Sequence, residues 1–173
     1  MDNLRLKSVA DNLNGAGYPA SLISPSDAAP FEQLYVTLDP DGKGRPRAIQ
    51  LQYIPVRASN DGDHLLQFVS SLPFPLIGKV AGDTARMILL VNKVIELPGF
   101  GMSEIDESLY YQHVHLCRKG YFEDETVGQL LSTILHYVDE YAPVVEEIAV
   151  GEKSFGVVVE EMKREVSAQR RAN

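Results

Sequence analysis

The feature that most constrains the fold is a pair of alternating stretches separated by a short polar segment. Residues 34–38 place Leu, Val and Leu at every second position, and residues 47–56 continue the pattern with Ile, Leu and Tyr. The segment Asp39-Pro40-Asp41-Gly42-Lys43-Gly44 between them is rich in residues that tolerate tight turns. Alternate residues of a strand share a face, so this pattern predicts an antiparallel hairpin with one buried face and one wetter face.

The rest of the chain supplies further strands and helices in separate groups. Strands are expected at residues 20–24 and 64–70, the second after a turn at 60–63, and a second hairpin at 101–105 and 109–117. Helical spacing predicts helices at 2–14, 84–97 and 123–151, with a helical tail from about residue 154 that frays at its end. We expect Asp83 to cap the second helix and Pro143 to kink or restart the third.

The order of these elements indicates the fold class. One helix is followed by three or four strands, a helix, two strands, a helix and the helical tail. Strands grouped apart from helices are typical of an α+β domain, in which helices pack on an antiparallel sheet. A chain of 173 residues is long enough to bury a core without disulfides, so we expect residues 1–173 to form a single domain.

Charge and cysteine content narrow the partners and the compartment. The chain has 24 acidic and 16 basic side chains and a net charge of −8, which disfavours contact with nucleic acid phosphates. The single cysteine excludes an intramolecular disulfide and suits a reducing compartment. The start of the chain does not resemble a signal peptide, and the longest apolar run, Met87 to Val91, is too short to span a bilayer. We expect a cytoplasmic protein without a membrane partner.

One cluster of residues could carry metal chemistry. His113, His115 and Cys117 occupy alternate positions of a predicted strand and would project to the same side. Two imidazoles and a thiolate suit zinc, although a closed site needs a fourth ligand that the sequence does not identify. The alternative interpretation is an ordinary strand whose other residues, Val114 and Leu116, point to the core. Neither a phosphate-binding loop nor a nucleophile elbow is present, so we expect neither a catalytic site nor a cofactor.

The central helix is more apolar than a one-sided surface helix requires. Apolar residues occupy several of its faces, and a proline-broken apolar loop precedes it. This helix is either fully buried within the chain or exposes a second apolar face to a partner or a second subunit. The residues that would form such a surface are Met87, Leu90, Val91, Val94, Phe74 and Leu76.

Several segments of the second half carry a resemblance to a known family. They are Val91-Asn92-Lys93, Leu97-Pro98-Gly99-Phe100, the stretch from Leu109 to Val114, and the helix segment from Tyr141 to Ile148. With the order of elements, they resemble the class I type III secretion chaperones, and the local sequence looks closer to the related YbjN-like (sensory transduction regulator) proteins. The resemblance implies a homodimeric, non-enzymatic, chaperone-like protein that holds an extended or partly unfolded protein segment.

Overall fold

A computed structural model describes residues 3–27, 29–56, 63–117 and 124–172 of the chain. Its helices are α1 (Asn3–Gly15), α2 (Ala81–Val94), α3 (Asp124–Ala149) and α4 (Phe155–Ala172). Its strands are β1 (Ala20–Ile23), β2 (Gln33–Leu38), β3 (Arg47–Pro55), β4 (His64–Ser71), β5 (Phe100–Ser103) and β6 (Ser108–Cys117). The predicted α+β class and the predicted order of elements are confirmed.

The strands form one six-stranded antiparallel sheet in the order β1-β2-β3-β4-β6-β5. The predicted hairpin is the pair β2 and β3, in which Leu34 lies opposite Leu51 and Val36 opposite Ile49. Gly44 in the turn between them has a φ of 76°, a conformation that glycine adopts without strain. The predicted turn at 60–63 lies, except for its last residue, outside the described residues.

The core lies between one face of the sheet and the helices. The alternate residues that the sequence assigned to the buried face, such as Leu34, Ile49 and Leu51, are fully buried. They meet the apolar stripe of α3, which buries Leu131 and Ile134. Alternation of period two on the sheet and spacing of three to four on the helix therefore meet in one layer of apolar side chains.

The bounds and caps of the helices differ from expectation in detail. A 3₁₀ turn at Gly78–Val80 leads into α2, which begins three residues earlier than predicted. Asp83 therefore lies inside the first turn and does not cap the helix; its carboxylate accepts a hydrogen bond from the Phe155 backbone N–H at 3.2 Å. The helix α3 continues through Pro143 without a restart. Within the described ranges, no helix has the length and hydrophobicity needed to cross a membrane.

Candidate functional site

Most of the surface predicted around the central helix is buried in the chain itself. Met87 and Val91 have no exposed side-chain area, and Phe74 and Leu76 are 6% and 2% exposed. These four residues cannot form a partner surface in the folded chain, so that part of the prediction is wrong. The physical reason is that α2 packs against α3 and the edge of the sheet, while the loop before it closes the core.

The rest of that predicted surface is small. Leu90 is half-buried against the core, and Val94 is exposed at the end of α2. Leu89, which the sequence analysis did not single out, is 70% exposed. Scattered apolar residues of this kind are normal on protein surfaces and do not mark a site.

The strand β6 presents its histidines and its cysteine to one face, as predicted, but this face is the core side of the sheet. Cys117 is 4% exposed, whereas Val114 and Leu116 are 41% and 56% exposed on the opposite face. The alternative interpretation, in which Val114 and Leu116 point to the core, is therefore wrong. Burial, and to a lesser degree the neighbouring His115, lowers the pKa of His113.

These three residues do not form a metal-ligand group. The Cys117 thiol instead lies 3.9 Å from the backbone oxygen of His115, to which it donates. In register, Cys117 lies opposite His64, and His113 lies opposite Phe68 with ring centroids 6.2 Å apart. Among the residues that the structure describes, no group of three or more His, Cys, Asp or Glu side chains could hold a metal ion.

A cleft at the turn of the first hairpin contains a group of charged side chains that contact one another. It has a volume of about 480 Å³ and lies between this turn, the loop after β4 and α3. Arg45 donates two hydrogen bonds to the carboxylate of Glu146, at 2.7 and 2.8 Å, and a third to Asp41 at 2.7 Å. Lys43 adds an ion pair to Glu146 at 3.0 Å, and the Arg45 guanidinium lies 5.5 Å from the Phe74 ring centroid.

These charges are paired with one another. The hydrogen bonds from Arg45 lower the pKa of Glu146, and the same contacts raise the pKa of Arg45. The cleft is thus a clamp that fastens the turn between β2 and β3 to α3. Its charges balance, so the geometry does not favour a particular charged ligand.

Both outer edges of the sheet are closed by an asparagine. The side-chain amide of Asn14, at the end of α1, donates to the Ala20 carbonyl at 2.9 Å and accepts from the Ala20 N–H at 3.0 Å. The amide of Asn92, in α2, pairs with Phe100 in the same way, at 2.8 and 3.0 Å. Each amide takes the place that the backbone of a further strand would occupy, so it protects the start of β1 or β5 from edge pairing.

The face of the sheet opposite the helices is a feature that the sequence analysis did not identify as a site. The side chains of β2, β3, β4 and β6 that point away from the core form this open face. They are Gln33, Tyr35, Thr37, Ala48, Gln50, Gln52, Ile54, Leu65, Gln67, Val69, Ser71, Ser108, Tyr110, Gln112, Val114 and Leu116. None of them is charged, although 23% of the residues of the chain are.

The open face combines amides with apolar side chains. A row of glutamines crosses three strands, with Gln33 donating to Gln52 at 3.4 Å and Gln52 donating to Gln67 at 2.5 Å. Val114 continues this row on β6. A groove of about 390 Å³ lies at one end of the face, and its lining includes Tyr35, Gln50, Val69 and the charged Arg47.

Comparison of this chain with protein-family models, with curated proteins and with solved structures found no match. The site is therefore defined by geometry alone. The sequence held a signal for it, because the wetter positions of the alternating strands carry Gln, Ser, Thr and Tyr and no charged residue.

Proposed function

We propose that this chain is a non-enzymatic protein-binding module, chaperone-like or regulatory, that binds its protein partner through the open face of the sheet and acts as a homodimer. The proposal places it in the cytoplasm, with proteins rather than nucleic acid or membranes as partners. The observation that carries the proposal is the open face itself. A broad, uncharged surface on a chain of net charge −8 suits another protein surface better than a small or highly charged ligand.

The mode of binding follows from the two closed edges. An extended segment that added to the sheet at β1 or β5 would have to displace Asn14 or Asn92 from its backbone partners. In each edge strand, the asparagine binds the backbone of the first residue, and only three further residues follow it. These three residues leave about 10 Å of backbone for pairing with an added strand. Edge addition is thus disfavoured, and contact through the open face is the better mode.

A pair of valines gives a matched test. Val114 lies on the open face and is 41% exposed, and Val157 is 48% exposed on α4, a helix that packs against α2. Tagged wild-type protein, Val114→Lys and Val157→Lys are incubated with extract of the source organism, and the retained proteins are identified by mass spectrometry. We expect the wild type and Val157→Lys to retain the same partner, and Val114→Lys to lose it, because a lysine there brings an unpaired charge into the interface.

The proposal fails if Val114→Lys retains the same proteins as the wild type, or if the wild type retains none. Circular dichroism of both variants is the control for folding. A partner lost from both lysine variants would also count against the open face.

A further inference from the structure

We infer that the occupant of the open face is a second copy of this chain, packed sheet against sheet around a two-fold axis. The inference rests on the proposed function and deepens it by naming the partner at that face. The argument uses the charge, the hydrogen-bonding groups and the size of the face.

Charge is the first step. Two copies of a chain with net charge −8 repel each other wherever their acidic surfaces meet. The open-face positions of β2, β3, β4 and β6 carry no Asp, Glu, Lys, Arg or His. The flanking strands β1 and β5 also place uncharged residues on this face. Ser21 of β1 lies opposite Tyr35, and Gly101 of β5 lies opposite Tyr110. Two copies can therefore meet at these strand positions without bringing like charges into contact.

Self-complementarity is the second step. In a two-fold interface each patch meets an identical patch, so every polar group must find a partner among its own kind. An amide or a hydroxyl can both donate and accept, whereas a carboxylate only accepts and an ammonium only donates. This condition is satisfied by the amides of Gln50, Gln67 and Gln112. Val69 and Val114, which lie beside these glutamines on the sheet, supply apolar contact.

Size is the third step. Six strands spaced about 4.8 Å apart give a face about 25 Å wide, and the longer strands make it about 20 Å long. Each copy would then cover about 500 Å² and the pair about 1,000 Å², which is roughly the minimum for a biological interface and below the range of about 1,200–2,000 Å² that is usual for stable complexes. Sheets stacked in this way lie about 10 Å apart, with their inner side chains interdigitated.

A charge-swap experiment tests whether the face meets itself. Gln67 lies on β4, near the middle of the sheet order, and Gln129 is an exposed glutamine on α3 that provides the matched control. Light scattering on purified protein at about 100 µM should give the wild type twice the 19.2 kDa mass of the chain. Gln67→Lys and Gln67→Glu should each fall to the monomer mass, and an equimolar mixture of the two should recover the dimer mass. Gln129→Lys and Gln129→Glu should remain dimeric.

Three results would overturn the inference: a monomeric wild type, Gln67 variants that remain dimeric, or a mixture of the two variants that remains monomeric. Recovery in the mixture also shows that both variants are folded. The masses are measured without any other protein present, whereas the test of the proposed function measures capture from extract. A monomeric wild type that still captures a partner through Val114 would refute this inference and the homodimer while leaving the binding function intact.

Discussion

At the scale of single residues, Asn92 has the largest structural role among the polar side chains of α2. Its amide oxygen accepts from the backbone N–H groups of Gly99 and Phe100, both at 3.0 Å, and its amide nitrogen donates to the Phe100 carbonyl at 2.8 Å. One side chain thus satisfies three backbone groups at the edge of the sheet and fixes the end of α2 to the start of β5. The segments around Val91-Asn92-Lys93 and Leu97-Pro98-Gly99-Phe100, which carry the resemblance, are therefore joined in space for a structural reason.

The replacement Asn92→Ala removes all three hydrogen bonds and leaves two N–H groups and one carbonyl of the backbone without their partner. We expect the free energy of unfolding to fall by about 2–4 kcal/mol, since each lost bond to a part-buried group costs about 1 kcal/mol or more. Urea unfolding at a fixed protein concentration measures the change. The neighbouring Lys93→Ala is the control and should change stability by less than about 0.5 kcal/mol, because Lys93 is exposed. Equal effects of the two substitutions would contradict the role assigned to Asn92.

At the scale of elements, the hairpin of β5 and β6 depends on glycines that lie beneath tyrosine rings. A Cβ atom at Gly99 would lie 2.6 Å from the backbone oxygen of Gln112 and 2.7 Å from the Tyr111 ring. The Tyr111 hydroxyl donates to the Leu97 carbonyl, and burial raises the pKa of Tyr111 to about 12. The tyrosine is thus held in place from both sides, and the chain must pass close beneath it.

Two glycine substitutions of opposite sign test this close approach. We expect Gly99→Ala to destabilise the protein by about 1–3 kcal/mol, because the backbone oxygen of Gln112 cannot move aside as a flexible side chain would. Gly128→Ala, within α3, should stabilise it by about 0.5–1 kcal/mol, since its Cβ would meet no atom within 4 Å apart from its chain neighbours and the nearby backbone of its own helix, and alanine favours the helix. Thermal and urea unfolding of both variants give the sign. A neutral Gly99→Ala would show that the strand can shift to accept a methyl group.

At the scale of the whole molecule, the clamp between Arg45 and Glu146 joins parts of the chain that are 101 residues apart. It fixes the turn of the first hairpin to the last turns of α3, next to the loop that closes the core. The carboxylate of Glu146 is nearly buried, so its charge depends on Arg45 and Lys43 for compensation. Breaking such a pair leaves the remaining charge without a partner in a poorly solvated place.

The pH dependence of stability follows from the lowered pKa of Glu146, whose chief cause is the pair of hydrogen bonds from Arg45. A carboxyl whose pKa is lower in the folded state contributes stability above its unfolded value, here near 4.5, and loses it as the pH falls through the folded value. We expect Glu146→Gln to lower the free energy of unfolding at pH 7 by about 1–3 kcal/mol. Urea unfolding of the wild type and of Glu146→Gln at pH 7 and pH 4 measures the free energy of unfolding. Between pH 7 and pH 4, this free energy should fall more for the wild type than for Glu146→Gln. Parallel losses in the two proteins would exclude Glu146 as a source of the acid sensitivity.

Much of the fold could be predicted from local patterns. Alternation identified the strands, helical spacing identified the helices, and the turn residues placed the first hairpin, because each pattern reflects which side of an element meets the core. The same patterns could not decide the environment of α2, since an apolar face can meet either the chain itself or a partner. One interpretation of these patterns placed Val114 and Leu116 of β6 in the core, whereas the structure buries the opposite face of the strand. Histidine and cysteine can pack on a buried face, and valine and leucine can remain exposed, so residue type alone did not decide which face is buried.

The sequence by itself determined the class of the domain, the order of its elements and the alternation that separates a buried from an uncharged face. Only the tertiary structure decided which residues remain on the surface. Met87 and Val91 are in the core because α3 and the sheet lie on both sides of α2, and Val114 and Leu116 are exposed because the helices pack on the other face of the sheet. Such facts depend on contacts between distant elements, which no local pattern records. The open face is a property of the assembled sheet, since its uncharged positions come from strands that are far apart in the chain.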